Sequence, residues 1–205
     1  MLKIKRLGPL TNGRFVFFKQ FLKHPLQIGS IIPSSRFLEQ RILDCADVAS
    51  AATIVELGPG IGNMTRTILG AMRRDARLLS LEINPLFHQM VNRIRDDRLI
   101  AHLGSAADLA EIVAAYGLEP PEVVISGIPF STMGPAVGFR VLEAVASLLA
   151  PNGCFVAYQV SNKVASLCRP LMGSEQVELE LFNIPPMRVY KWEKSGRDLQ
   201  TSLAC

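Results

Sequence analysis

The chain has 205 residues, 49% of them hydrophobic and 20% charged, with a formal net charge of +4; it suits one globular domain with an ordinary core and leaves no room for a second. No apolar run approaches the ~20 residues needed to cross a bilayer, and the N-terminus lacks a small-residue cleavage site after an apolar core, so neither export nor membrane insertion is expected. Four scattered cysteines, Cys45, Cys154, Cys168 and Cys205, form no C-x-x-C pair, which argues against a zinc site or a disulfide framework and for a reducing cytoplasm.

The first 38 residues hold seven cations (Lys3, Lys5, Arg6, Arg14, Lys19, Lys23 and Arg36) and no acid, so the remainder carries 4 − 7 = −3. Such asymmetry points to an anionic partner at one end. At ~100° per residue, Phe15, Phe17, Phe18, Phe21 and Leu22 fall on one arc of a short helix, with Lys19, Gln20, Lys23 and His24 opposite; Arg14 and Val16 break the pattern. Bulky aromatics facing lysines fit an in-plane membrane anchor. RNA would use the lysines and leave the phenylalanines without a role, whereas packing of the stripe on the core would explain it with no membrane. Ser34 and Ser35 are placed to cap a helix through Phe37, Leu38, Ile42 and Leu43.

Next comes Ile54-Val55-Glu56-Leu57-Gly58-Pro59-Gly60-Ile61-Gly62, then a helix over 63–73 and a second apolar run, Leu78-Leu79-Ser80-Leu81, ending in Glu82. A strand ending in an acid, a glycine-rich turn, a helix and another acid-tipped strand make half of a nucleotide-binding unit. A pyrophosphate fingerprint spaces its glycines G-x-G-x-x-G so that backbone amides can approach an anion. Here the order is G-x-G-x-G with a carboxylate before it, which suits a cationic ligand. S-adenosylmethionine (SAM) carries an ammonium and a sulfonium, so Glu56 is the candidate for its amino-acid end and Glu82 for its ribose hydroxyls. Gly58, Pro59, Gly60 and Gly62 shape the turn, and Ile83 follows Glu82.

Asn84-Pro85 opens a helix through Phe87, Met90, Val91 and Ile94, and 98–106 reads as a strand and its loop. Asp108 to Tyr116 reads as a short helix, and Glu122 to Phe130 as another strand and loop. A helix at 135–149, a strand at 154–160 and a helix near 162–171 follow. Gln176 to Ile184 and Met187 to Glu193 are two closing strands joined across Pro185-Pro186. From Lys194 onward few anchors remain, and a frayed tail is expected. His24, His88 and His102 show no ligand spacing, so no metal is assigned.

The ordered glycine turn, the two acids and the closing antiparallel pair resemble the class I, Rossmann-like SAM-dependent methyltransferases over residues 30–193. The resemblance implies an α/β fold with a mostly parallel seven-stranded sheet and an antiparallel last strand, S-adenosylhomocysteine (SAH) as product, Ser105 and Ala106 along the adenine in the loop after the third strand, and the loop after the fourth strand facing the acceptor. Outside it, the basic amphipathic stretch 1–29 is expected to meet a membrane and 194–205 to form a tail. Members that methylate exocyclic base amines usually carry a loop like Asn-Leu-Pro-Tyr, whose amide holds the amine and whose ring stacks on the base. This chain has Gly127-Ile128-Pro129-Phe130, which leaves backbone carbonyls near Gly127 and Ile128 to orient a small aliphatic amine and Phe130 to meet the substrate.

With Phe17-Phe18-Lys19-Gln20-Phe21-Leu22-Lys23-His24-Pro25 and Gly29-Ser30-Ile31-Ile32-Pro33-Ser34-Ser35 added, the chain resembles the bacterial phospholipid N-methyltransferases related to ribosomal RNA adenine dimethyltransferases. That resemblance implies methylation of phosphatidylethanolamine toward phosphatidylcholine at the inner face of the cell membrane. The expected partners are an anionic membrane and its phospholipid, with no nucleic acid and no obligate protein partner. An RNA adenine N6-methyltransferase is the alternative; the short stretch after Glu193 counts against it, because such enzymes usually append a helical RNA-gripping domain. The acceptor nitrogen must lose a proton before attack, for which Tyr158 and Ser34 or Ser35 are candidates. Lys23, Arg36 or Lys163 could hold the lipid phosphate.

Overall fold

The computed structural model describes residues 35–196. The expected amphipathic helix with Phe15, Phe18, Lys19, Phe21, Leu22 and Lys23, the candidate Ser34 and the end of the tail lie outside the described residues.

Seven strands form one sheet: β1 (Thr53–Leu57), β2 (Arg77–Glu82), β3 (Leu99–Leu103), β4 (Val123–Ser126), β5 (Cys154–Gln159), β6 (Gln176–Glu180) and β7 (Met187–Glu193), in the order β3-β2-β1-β4-β5-β7-β6. The first five run parallel, β7 is antiparallel to β5, and β6 is antiparallel to β7. The helices are α1 (Arg36–Ala46), α2 (Asn63–Ala71), α3 (Pro85–Val91), α4 (Leu109–Ala115), α5 (Pro135–Leu148) and α6 (Lys163–Met172). This is the mixed α/β sheet expected from the sequence.

Burial on both faces explains why β1, β4 and β5 read as nearly continuous apolar runs. Alternate residues serve two cores. Val55, Leu57, Val124, Phe155 and Ala157 pack with α4, α5 and α6, while Ile54, Val123, Ile125 and Val156 pack with α1 and α2. Glu56 occupies a position on the second face, where an apolar residue would otherwise sit. β1 lies between β2 and β4, so the chain reverses direction across the sheet there. Ligands of such folds bind outside the carboxyl ends of the strands at that reversal.

Some boundaries differ from the reading above. Helix α3 stops at Val91, and β6 stops at Glu180; the apolar residues Leu181, Phe182 and Ile184 that prolonged the strand pattern stand in an exposed turn. Lys194 is anchored, contrary to expectation: its ammonium donates to the Ser147 and Leu149 carbonyls at 3.1 and 2.8 Å, and its amide donates to Gly153 O at 2.9 Å.

Ser35 caps α1, its hydroxyl oxygen accepting from Leu38 N at 3.2 Å. Its own amide donates to Asn183 Oδ1 at 2.9 Å, which pins the start of α1 to the turn after β6. Replacing Ser35 by alanine is therefore expected to lower stability by ~1 kcal/mol in urea unfolding while leaving kcat unchanged. A fall in kcat without a fall in stability would restore its catalytic assignment.

Candidate active site

The carboxyl ends of β1, β2 and β4 gather the residues that the sequence singled out. Gly58, Gly60 and Gly62 all have positive φ, at 74°, 57° and 84°, a region where a Cβ clashes with the following carbonyl. Gly62 closes the turn as the N-cap of α2. Gly60 is the open position: a Cβ built on it meets nothing within 4 Å, whereas one on Gly58 lies 3.1 Å from Ile128 Cγ1. The turn thus packs against the acceptor loop at Gly58 and has open space beside Gly60.

Glu56 is 1% exposed. Its Oε2 accepts from Thr65 Oγ1 at 2.7 Å and from Ser80 Oγ at 2.8 Å, and its Oε1 is buried without a partner. Burial raises its pKa from 4.5 to about 7, against the opposing effect of the two hydroxyls. A buried acceptor left open costs free energy unless something donates to it. Glu82, at the tip of β2, accepts from Asn84 N at 2.8 Å and Gly60 N at 3.1 Å; burial raises its pKa also, opposed by these backbone amides. Ile83 is exposed beside it. Ser105 caps the short helical turn Ala106–Asp108, its hydroxyl accepting from Ala107 N at 3.2 Å, and Ala106 is buried.

The acceptor side departs from expectation. Phe130 is fully buried in the core under α5 and α6, so its ring cannot meet a substrate at the surface. The Ile128 carbonyl already accepts from Gln159 Nε2 at 2.7 Å and from Phe130 N at 3.0 Å; with both lone pairs engaged, it is not a free cradle for an amine. Tyr158 lies against Gly127, where an added Cβ would sit 2.5 Å from its hydroxyl. Burial pushes that phenol well above its ordinary value, and the Glu56 and Glu39 carboxylates push the same way. Tyr158 therefore keeps its proton at neutral pH and is a donor, not a proton acceptor. Arg36 is exposed and Lys163 half-buried. Among the described residues no His/Cys/Asp/Glu group could hold a metal.

Thr65, Ser80 and Gln159 were missed as site residues from sequence, and Asn84 was read only as the opening of α3, which it caps, its Oδ1 accepting from Leu86 N at 2.9 Å. Ser80 did carry a signal, since a hydroxyl amid Leu78-Leu79-Ser80-Leu81 breaks a buried strand. Gln159 carried none.

The chain is 30% identical over 143 residues to the ornithine lipid N-methyltransferase of Singulisphaera acidiphila, an alignment covering 69% of this chain and 74% of that protein. It belongs to the SAM-dependent methyltransferases. It is also 26% identical to the dimethyladenosine transferase of Chaetomium thermophilum, over 68% of this chain but only 33% of that protein. The N-methyltransferase NodS from Bradyrhizobium japonicum in complex with SAH shares the fold, with a TM-score of 0.64 at 10% identity over 90% of this chain and 99% of the other. No protein-family model matches the chain.

The methyltransferase's residues fit the donor. The unpartnered Glu56 oxygen offers an anionic acceptor to an ammonium, Glu82 stands at the β2 tip where it can accept from hydroxyls, and Gly60, whose amide donates to Glu82, has open space on its side-chain side.

Proposed function

We propose that this methyltransferase transfers methyl groups from SAM to the headgroup amine of phosphatidylethanolamine and its mono- and dimethyl forms, toward phosphatidylcholine, at the inner face of the cell membrane. The observation that carries the choice of a small aliphatic amine is the acceptor loop. Gly127-Ile128-Pro129 has no side-chain amide, and Phe130 is wholly buried, so nothing there reads or stacks on a base. A relative named for ornithine lipid supports an amino-lipid, and the acid-free basic stretch 1–38 supports an anionic membrane as the partner.

SAM supplies an electrophilic methyl on a sulfonium that is already a good leaving group, so the protein contributes alignment and exclusion of water. Glu56 holds the donor's ammonium, Glu82 its ribose, and the turn Gly58-Pro59-Gly60 its flank; Ile83, Ser105 and Ala106 line the base. Gln159 fixes the Ile128 carbonyl and hence the loop that faces the acceptor. In this reading Arg36 or Lys163, neither of them buried, holds the lipid phosphate. The proton of the headgroup ammonium leaves to water, since Tyr158 holds its own.

Relatives named as dimethyladenosine transferases and ribosomal RNA methyltransferases favour a second reading, RNA adenine N6-methylation, and the assay must include it. Purified protein with methyl-labelled SAM should label phosphatidylethanolamine in mixed vesicles, with ornithine lipid and a ribosomal RNA fragment in parallel. Label in the lipid amine and none in RNA is expected. Label in RNA alone would overturn the proposal, and label in ornithine lipid alone would replace its substrate.

A further inference from the structure

Among the described residues, the four most exposed large apolar side chains lie together. Ile184, Phe182 and Leu181 are 82%, 75% and 68% exposed, and all lie in the turn between β6 and β7; Phe37 at the start of α1 is 62% exposed. The rings of Phe37 and Phe182 pack at 5.3 Å between centroids. The turn is not a loose end. Asn183 inside it is buried, accepting from Ser35 N and donating from Nδ2 to Pro185 O, both at 2.9 Å, and Arg41 of α1 pairs with Glu180 at 2.9 Å and Glu178 at 2.6 Å on β6. A held turn that points large apolar groups at water is costly unless something else solvates them.

Its place in the fold says what that is. Strand β6 is antiparallel to β7, which is antiparallel to β5, so β6 ends at the same edge of the sheet as β1, β4 and β5. The turn therefore flanks the catalytic edge, three strand spacings from the acceptor loop after β4, or roughly 14 Å. Exposed Arg36 lies beside Phe37 and exposed Arg188 follows the turn, while the acids next to Phe37 and Phe182 include Glu178 and Glu180, both paired with Arg41. Apolar tips with arginines next to them, at the end of the sheet where the acceptor arrives, match a bilayer with anionic headgroups.

We propose that the β6–β7 turn, together with Phe37, is a wedge that inserts into the bilayer and sets the catalytic edge against the lipid headgroups. It rests on the lipid reading of the acceptor site and adds a second membrane element to the N-terminal segment.

Two measurements test it. In Phe182→Trp, emission is taken as the difference from wild type, whose single tryptophan, Trp192, is buried. It should shift to the blue only when vesicles of phosphatidylglycerol and phosphatidylethanolamine are added. The double variant Phe182→Ser/Ile184→Ser alters only exposed side chains; it should keep SAH binding and transfer to a soluble short-chain phosphatidylethanolamine, yet partition to vesicles about 100-fold more weakly and lose transfer to them. Emission already blue without vesicles would mean that residues 1–34 cover the turn, and a shift that follows protein concentration would mean a second copy does; either overturns the wedge. So does wild-type partitioning by the double variant. A vesicle-dependent shift with no methyl transfer to any amino-lipid would support the wedge and sink the lipid reading.

Discussion

Gly60→Val is expected to abolish donor binding while the protein still folds. Gly60 has φ 57° and open space where a Cβ would stand, so the Cβ meets no neighbour within 4 Å and the main cost is the backbone strain of a β-branched residue in the left-handed region, about 1–3 kcal/mol. The added methyls fill the open space beside Gly60, whose amide donates to Glu82 Oε2. Calorimetry with SAH should show affinity down by more than about 100-fold, or roughly 3 kcal/mol. Gly60→Ala carries much of the strain and less of the bulk, so it should lose less affinity for a comparable loss of stability. Equal affinity in wild type and the valine variant would place the donor elsewhere.

Glu56→Gln is expected to remove a pH dependence from both stability and binding. The folded value of Glu56 lies at about 7 against an ordinary 4.5. A raised value means that the folded state binds the proton more tightly than the unfolded one, so this stability is fully present below pH 4.5 and lost as pH rises through 7. At 1.36 kcal/mol per unit the loss is about 3 kcal/mol. Denaturant unfolding of the donor-free protein should weaken by about that amount between pH 5 and 8 and should lack this component in the glutamine variant. Binding runs the other way. An ammonium beside the open Oε1 favours the carboxylate, so SAH should bind wild type more tightly as pH rises toward 8, and the variant should be about 10- to 100-fold weaker there, as expected for losing a charged hydrogen bond. The two should converge near pH 5, where Glu56 is protonated. Parallel pH profiles in the two proteins would remove Glu56 from the donor site.

These two residues were legible in the sequence because their constraints are local. A strand ending in an acid, glycines at alternate positions and a second acid-tipped strand fix a turn and its flanks within about thirty residues of chain. The closing pair was legible for the same reason, as two apolar runs bracketing Pro185-Pro186. Ser35 was placed correctly as a cap by its position before Phe37 and Leu38.

What escaped depends on contacts between distant segments. Phe130 stands where a substrate-stacking ring is expected, and only the packing of α5 and α6 turns it inward; Gly138, whose absent side chain leaves Phe130 Cδ1 3.5 Å from a would-be Cβ, gave no hint in sequence. Ile128 was offered as a carbonyl cradle because nothing in its neighbourhood shows that Gln159, on the next strand of the sheet, donates to it. Thr65 and Ser80 converge on Glu56 from α2 and β2, and their register became visible only once Glu56 was seen opposite Ser80 across the β1–β2 pair. Leu181, Phe182 and Ile184 continue the apolar character of β6, so the end of the strand at Glu180 could not be told from the exposed turn beyond it.

The central claim is that a donor pocket built on Glu56, Gly60 and Glu82 serves the amine of a membrane lipid. Expression in a bacterium that makes phosphatidylethanolamine but no methylated lipid, followed by mass spectrometry of its lipid extract and its ribosomal RNA, addresses it directly. New mono-, di- and trimethylated phosphatidylethanolamine with unaltered RNA is predicted, lost in Gly60→Val. An unchanged lipid extract alongside newly dimethylated adenine in the RNA would contradict it.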